Sequence, residues 1–176
     1  MSKARLNLKN LVALIVDRDN FSRSLIAQML RGFGVSTVLV ADNGEEAKEL
    51  LGQHCPDIAF IEGALPDMPT DELIVWIRRH ANKALRFLPV IVLSGYTQLR
   101  LISAARDSGA HLVVRKPVSP QTLFDRMVWV AKFDRAFLEA PKYAGPDRRF
   151  HAADPPEGKV RRATDEEQPQ PTILQV

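Results

Sequence analysis

Residues 11–26 read LVALIVDRDNFSRSLI, and the reading of this stretch decides the fold. Leu11–Val16 is an apolar run with no polar alternate, the mark of a strand covered on both faces, as in a parallel sheet. The run stops at Asp17-Arg18-Asp19. From Phe21 the apolar period changes: Phe21, Leu25 and Met29, with Ile26 and Leu30, recur at three and four, which predicts a helix over 21–31. Where the chain leaves the strand, two acids flank a cation. Such a turn either holds a metal for phosphoryl transfer or carries a built-in positive charge where the metal would sit.

The same alternation continues outward. Strands are expected at Leu11–Val16, Val35–Ala41, Asp57–Ile61, Leu88–Leu93 and His111–Val114, all short and rich in Val, Ile and Leu. Helices fill the gaps. One spans 44–53, with Asn43 as cap and Glu46 three residues on. Another spans Thr70–His80, with Asp71 and Glu72 in its first turn, where the helix dipole favours acids. A third spans Thr97–Ser108 and stops at Gly109. The last opens at Ser119-Pro120, a cap followed by a first-turn proline. Five strands alternating with five helices predict an α/β fold, (βα)5, with a doubly wound parallel five-stranded sheet of the flavodoxin-like type.

Bulk properties narrow the class. The 176 residues fit one domain and a tail, and 45% apolar residues supply a core. A net charge of +3 is too small for a nucleic-acid footprint. The one cysteine, Cys55, excludes an internal disulfide and fits a reducing cytoplasm. Its neighbour His54 has no second ligand pair at metal spacing, so a helix-to-strand turn is the expectation there. No stretch approaches the ~20 apolar residues that span a bilayer, and no signal peptide is apparent. The expected protein is soluble and cytoplasmic, with no DNA and no membrane among its partners.

In doubly wound sheets the working crevice lies at the carboxyl ends of the strands. The residues expected there are Asp17, Arg18 and Asp19 after the first strand, Glu62 after the third, Ser94 after the fourth and Lys116 before Pro117 after the fifth. Acids, a hydroxyl and a lysine in this order form a phosphoryl-transfer constellation. At this point the sequence resembles the receiver domain of two-component response regulators over roughly residues 10–134. The likeness rests on LIVDRDNFSRSLI, ADNGEEA, PDIAFIEGALPDM, PVIVLSG and VVRKPVS. The resemblance implies that Asp17 matches the first acid of the family's acidic pair, while the metal-binding second acid falls on Arg18. Asp19 matches a common third acid. The phosphoacceptor aspartate falls on Glu62, the family's hydroxyl and lysine on Ser94 and Lys116, and its aromatic switch residue on Val113.

Each departure has a physical consequence. Arg18 opposes entry of Mg²⁺ by repulsion, so no cofactor and no metal are expected. Glu62 reaches one methylene further than aspartate, into the space of a phosphoryl group, where Arg18 or Lys116 could pair with it. A valine at 113 has no ring to flip. The expectation is a degenerate pseudo-receiver, not an enzyme and without catalytic residues, acting as a signalling adaptor through protein contacts in a bacterial-type two-component or related pathway. Two alternatives stand beside it. One is a divergent receiver phosphorylated on Glu62. The other is a metal-dependent phosphatase, since VDRDN also matches the start of haloacid dehalogenase-type enzymes; its acid pair after the lysine is missing.

The predicted domains are an N-terminal extension over 1–9, the receiver-like domain over 10–138 and a flexible tail over 139–176. The last helix is expected to run through SPQTLFDRMVWVAKFDRAFLEA, with Trp129, Phe133 and Phe137 recurring every four residues. That face either packs on the domain's own core or serves as a protein or homodimer surface through the last two helices. The tail carries Arg148-Arg149 and Arg161-Arg162, read either as solvated charges or as an anion site. Some receiver-like proteins resemble this layout and bind cyclic di-GMP through arginine-rich tails, with Asp147 and Asp165 as further contacts.

Overall fold

The computed structural model describes residues 8–95, 99–132, 137–141, 143–147 and 172–174. Its centre is a five-stranded sheet of β1 (Val12–Val16), β2 (Thr37–Ala41), β3 (Ile58–Glu62), β4 (Val90–Ser94) and β5 (Leu112–Arg115). The strand order is β2-β1-β3-β4-β5 and every pairing is parallel. The order reverses at β1, so the crevice faces the ends of β1 and β3.

Each strand divides its side chains between two cores, which is why polar alternates are missing from the sequence. Leu14, Val16, Ala59, Ile61, Val90 and Val92 face one core, with α2 (Gly44–His54), α3 (Thr70–Arg78) and α5 (Leu99–Asp107). Ala13, Ile15, Ile58, Phe60, Ile91 and Leu93 face the other, with α1 (Asn20–Gly32) and α6 (Pro120–Lys132). The expected helix ends hold. Asn43 accepts from Glu46 N at 2.8 Å while the Glu46 carboxylate accepts from Asp42 N, a reciprocal cap on α2. Gly109 takes φ +106° after α5, a conformation that favours glycine. Thr122 N donates to Ser119 Oγ at the start of α6.

Two features differ from the expectation. A short helix not foreseen, α4 (Lys83–Arg86), is capped by Asn82 between α3 and β4. More consequential, the helix does not continue to Ala140: α6 is Pro120–Lys132. Residues Phe137–Ala140 form β6 and Tyr143–Pro146 form β7, an antiparallel hairpin turning at Pro141. Proline restricts the residue before it to extended backbone, which disfavours helix at Ala140. A three-residue strand, β8 (Thr172–Leu174), pairs with the other edge of β6. Strands thus occupy 137–140 and 143–146, around the expected start of the tail. Phe133 and the arginines at 148, 149, 161 and 162 lie outside the described residues.

The hairpin docks at the amino ends of β4 and β5, a contact no sequence pattern announces. Arg78, the last residue of α3, is fully buried there. Its guanidinium donates to Gly109 O at 3.0 Å, Arg86 O at 2.9 Å, Leu88 O at 2.8 Å and His111 Nδ1 at 3.3 Å. Val90 N donates to the same His111 nitrogen, so that nitrogen is the acceptor in both bonds. The ring of Phe137 lies 5.6 Å from the guanidinium and packs edge-on against Phe87. Burial pulls the Arg78 pKa down to about 9, opposed by Tyr143, and the group remains a cation at neutral pH. One side chain thus satisfies three backbone carbonyls from two separate turns. Arg78→Met removes all of these donors, and the expected loss is about 3–5 kcal/mol in urea unfolding, the range for buried polar groups left without partners.

Candidate functional site

The site forms where β1, β3, β4 and β5 end. Asp17 follows β1 and is buried; Glu62 closes β3 and Ser94 closes β4, also buried. Lys116 follows β5, ahead of a cis bond to Pro117. Its Nζ donates to Asp17 Oδ2 at 2.6 Å and to Glu62 Oε2 in a second, shorter ion pair. One ammonium therefore bridges the carboxylates delivered by two neighbouring strands. Ser22 Oγ donates to Asp17 Oδ2 at 2.7 Å, Asp19 N donates to Asp17 Oδ1 at 2.8 Å, and Arg23 donates to Asp17 O at 2.6 Å. Thr70 Oγ1 donates to Glu62 O at 2.8 Å and fixes the exit of β3. Beside it, Gly63 passes so near Ser94 that a Cβ would fall 2.6 Å from its Oγ.

Electrostatics follow from this geometry. Burial works against the charged form of Asp17, but hydrogen bonds from Lys116 and Ser22 outweigh it and hold the group below 3.8. Burial likewise works against the Lys116 cation, and its hydrogen bonds to Asp17 and Glu62 more than compensate, holding it above 10.5.

The structure redistributes the roles expected of the acidic turn. Arg18 does not stand between the carboxylates. It is exposed and lines an open hollow with Asp42, Asn43, Glu45, Pro66 and Asp67. Asp19 also turns away, and its carboxylate accepts from Phe21 N and Ser22 N as the cap of α1. The reason is local: Asp17 Oδ1 engages Asp19 N, which turns the chain and sends the intervening side chain outward. The cation inside the site is Lys116. A divalent ion, which receiver domains imply, does not fit this donor set. Both buried carboxylates are engaged by an ammonium and the third acid is spent on a helix cap. Among the described residues no cluster of three His, Cys, Asp or Glu side chains forms that could hold a metal.

Val113 is half-buried against the α3–α5 core. With Ser94, Gly63, Ala104 and Ala105 it borders a hollow of about 430 Å³ between the β3–α3 loop and α5. Asp67 in that loop accepts from Gly44 N and Glu45 N, while Met68 packs over Gly44, so the loop is clamped to the start of α2. The hydrogen bonds to Gly44 and Glu45 hold the Asp67 carboxyl below its usual range. The aromatic face expected along the last helix is not continuous. Trp129 is half-buried against the α1–α6 core, and Phe137 is buried in the hairpin. Sequence reasoning missed Ser22, Arg23, Thr70 and Asp67. Only Ser22 carried a usable signal, a hydroxyl in the first turn after an acid.

Comparisons with known proteins bear on the family and the fold. The sequence model of the response regulator receiver domain matches residues 13–128. The chain is 32% identical to the Regulator of RpoS of Escherichia coli K12 over 124 residues, which covers 70% of this chain and 35% of that protein. It is 35% identical to the transcriptional regulatory protein PdtaR of Mycobacterium tuberculosis over 106 residues, 60% of this chain and 49% of the relative. It thus spans a third to a half of the relatives' lengths. A solved structure of a candidate response regulator from Chloroflexus aurantiacus superposes with a TM-score of 0.64 at 28% identity, covering 68% of this chain and 96% of that one.

Two measurements check the triad. Lys116→Met leaves two buried carboxylates without their cation, and the expected cost at pH 7 is about 3–5 kcal/mol in chemical denaturation. In the native chain the Asp17 contribution is complete above its unfolded pKa. It is lost as pH falls through the folded value, which lies below 3.8. The Lys116 contribution is complete below 10.5 and is lost as pH rises through its raised folded value. Unfolding midpoints against pH are expected to fall at both ends, and the alkaline fall is expected to vanish in Lys116→Met.

Proposed function

The chain belongs to the response regulator receiver domain family, and from that premise we propose that it is a pseudo-receiver, a signalling adaptor that works through protein contacts without phosphorylation of its acceptor position. One observation carries the reading: the Lys116 ammonium bridges Glu62 and Asp17. Phosphoryl transfer to a carboxylate needs a free nucleophilic oxygen and a counter-charge for the incoming phosphoryl group. Here Lys116 engages Glu62 Oε2, and its charge is shared between Glu62 and Asp17. A carboxylate one methylene longer, pinned to the lysine, holds the site in one charge state.

A site that does not change charge leaves recognition to surfaces. The relatives by name are regulators, and the same role here, in a two-component or related pathway, requires a protein partner. No helix among the described residues is long and apolar enough to cross a membrane, which fits an adaptor in the cytoplasm. The cyclic di-GMP reading of the tail rests on residues outside those described and receives no support from the site.

Incubation of the full chain with a small-molecule phosphodonor and Mg²⁺, followed by intact mass measurement, is expected to give no phosphoryl adduct. Thermal unfolding is expected to be the same with and without Mg²⁺. A stable adduct mapped to Glu62 would establish the divergent, phosphorylatable receiver instead.

A further inference from the structure

The hairpin at the opposite end of the sheet has a function that the acidic site does not explain. The receiver fold closes without it: the family match ends at residue 128, and the Chloroflexus structure is 96% covered by 68% of this chain. With β8 on the other edge of β6 the hairpin makes a small sheet of strands three and four residues long, and its place on the domain comes from what it rests on.

That resting place is built independently of it. Arg78 is oriented by Gly109 O, Arg86 O, Leu88 O and His111, all from the body of the domain. The hairpin adds an aromatic ring over an already fixed cation, with Phe87 at its edge. Two residues further, Glu139 pairs with Arg86 at 3.2 Å, and both side chains retain solvent access. Arg79 donates to Pro141 O at 3.3 Å. Gly145 sits so near Gly109 that a Cβ would fall 2.7 Å from the Gly109 Cα. Three arginines thus face the hairpin, and the segment they receive presents a ring, then a carboxylate, on one side of an extended strand.

We propose that Arg78, Phe87, Arg86 and Gly109 form a docking socket for an extended segment in which an aromatic side chain is followed two residues later by a carboxylate, and that residues 137–146 occupy it as a resident, displaceable plug. A protein partner carrying the same pair competes for the socket and displaces the plug. The high local concentration of a tethered segment keeps weak competitors out, so the socket selects for partners that make contacts beyond the ring and the acid. The proposal does not depend on whether Glu62 is phosphorylated.

The test uses the full chain and a fluorescent peptide of residues 137–146, FLEAPKYAGP. Glu139→Lys places a cation against Arg86 at a position outside the core. Amide hydrogen exchange in this variant is expected to speed up in β6 and β7 while the five-stranded sheet stays protected. Its affinity for the native-sequence peptide, read by anisotropy, is expected to exceed that of the unmodified chain at least tenfold. A peptide with alanine for Phe137 is expected not to bind. Phe137→Ala in the full chain is the second route to an open socket. The proposal is overturned if neither variant speeds exchange in the hairpin, if the sheet loses protection together with it, or if opened and unmodified chains bind the peptide equally.

Discussion

Everything at the functional end of this domain follows from one ammonium held between two carboxylates. β1 and β3 are adjacent and parallel, so each places its terminal acid at the same edge of the sheet, in a position largely shielded from water. Two such charges repel strongly unless a cation stands between them. Here Lys116, at the position of the family's lysine, stands between them. The consequence reaches the backbone. Asp17 also receives Asp19 N and Ser22 Oγ, so the ion triad, the turn out of β1 and the first turn of α1 form one connected network. Ser22 and Arg23 are then not incidental polar residues: they fix the carboxylate and carbonyl that the lysine depends on.

Much of this was legible in the sequence, for identifiable reasons. Strands covered on both faces leave long apolar runs, and the five runs give the sheet. Caps are local chemistry, so Asn43, Ser119 and Gly109 announce their helix ends. The strand-end residues Asp17, Glu62, Ser94 and Lys116 meet because parallel pairing brings all carboxyl ends to one edge. What could not be read was direction. Arg18 sits between two acids in sequence, yet an Asx-type turn at Asp17 sends it outward and leaves the interior to a lysine almost a hundred residues away. The choice between Arg18 and Lys116 is set by a hydrogen bond to a backbone amide, which no pattern of residue types encodes.

The far end of the sheet was illegible for the opposite reason. Arg78 stands at a helix C-terminus, where a cation is ordinarily exposed and interacts favourably with the dipole. Its burial is decided by three carbonyls from the turns that lead into β4 and β5 and by a ring from residue 137. The spacing of Trp129, Phe133 and Phe137 fits a helix equally well, because a four-residue period says nothing about whether the helix persists. Pro141 carried the only local signal against it. The hairpin wins because Phe137 gains a fixed cation and an aromatic edge there, whereas continuation of α6 would have left the ring with little of its own domain to cover.

The two ends differ in how they can respond to a partner. At the carboxyl ends the charges are mutually satisfied within the domain, and the groups are buried, so altering them costs several kcal/mol. At the amino ends the cation is satisfied by backbone, and what lies over it is a short segment with a half-exposed ion pair. A ligand shifts an equilibrium only by its differential affinity for the two states. A contact held by one ring, one partly solvated pair and a hydrogen bond from Arg79 lies within reach of that difference, while the buried triad does not. On the proposed pseudo-receiver reading, the capacity for change lies at the opposite edge of the same sheet, where the order of β4, β5 and α3 converges on Arg78.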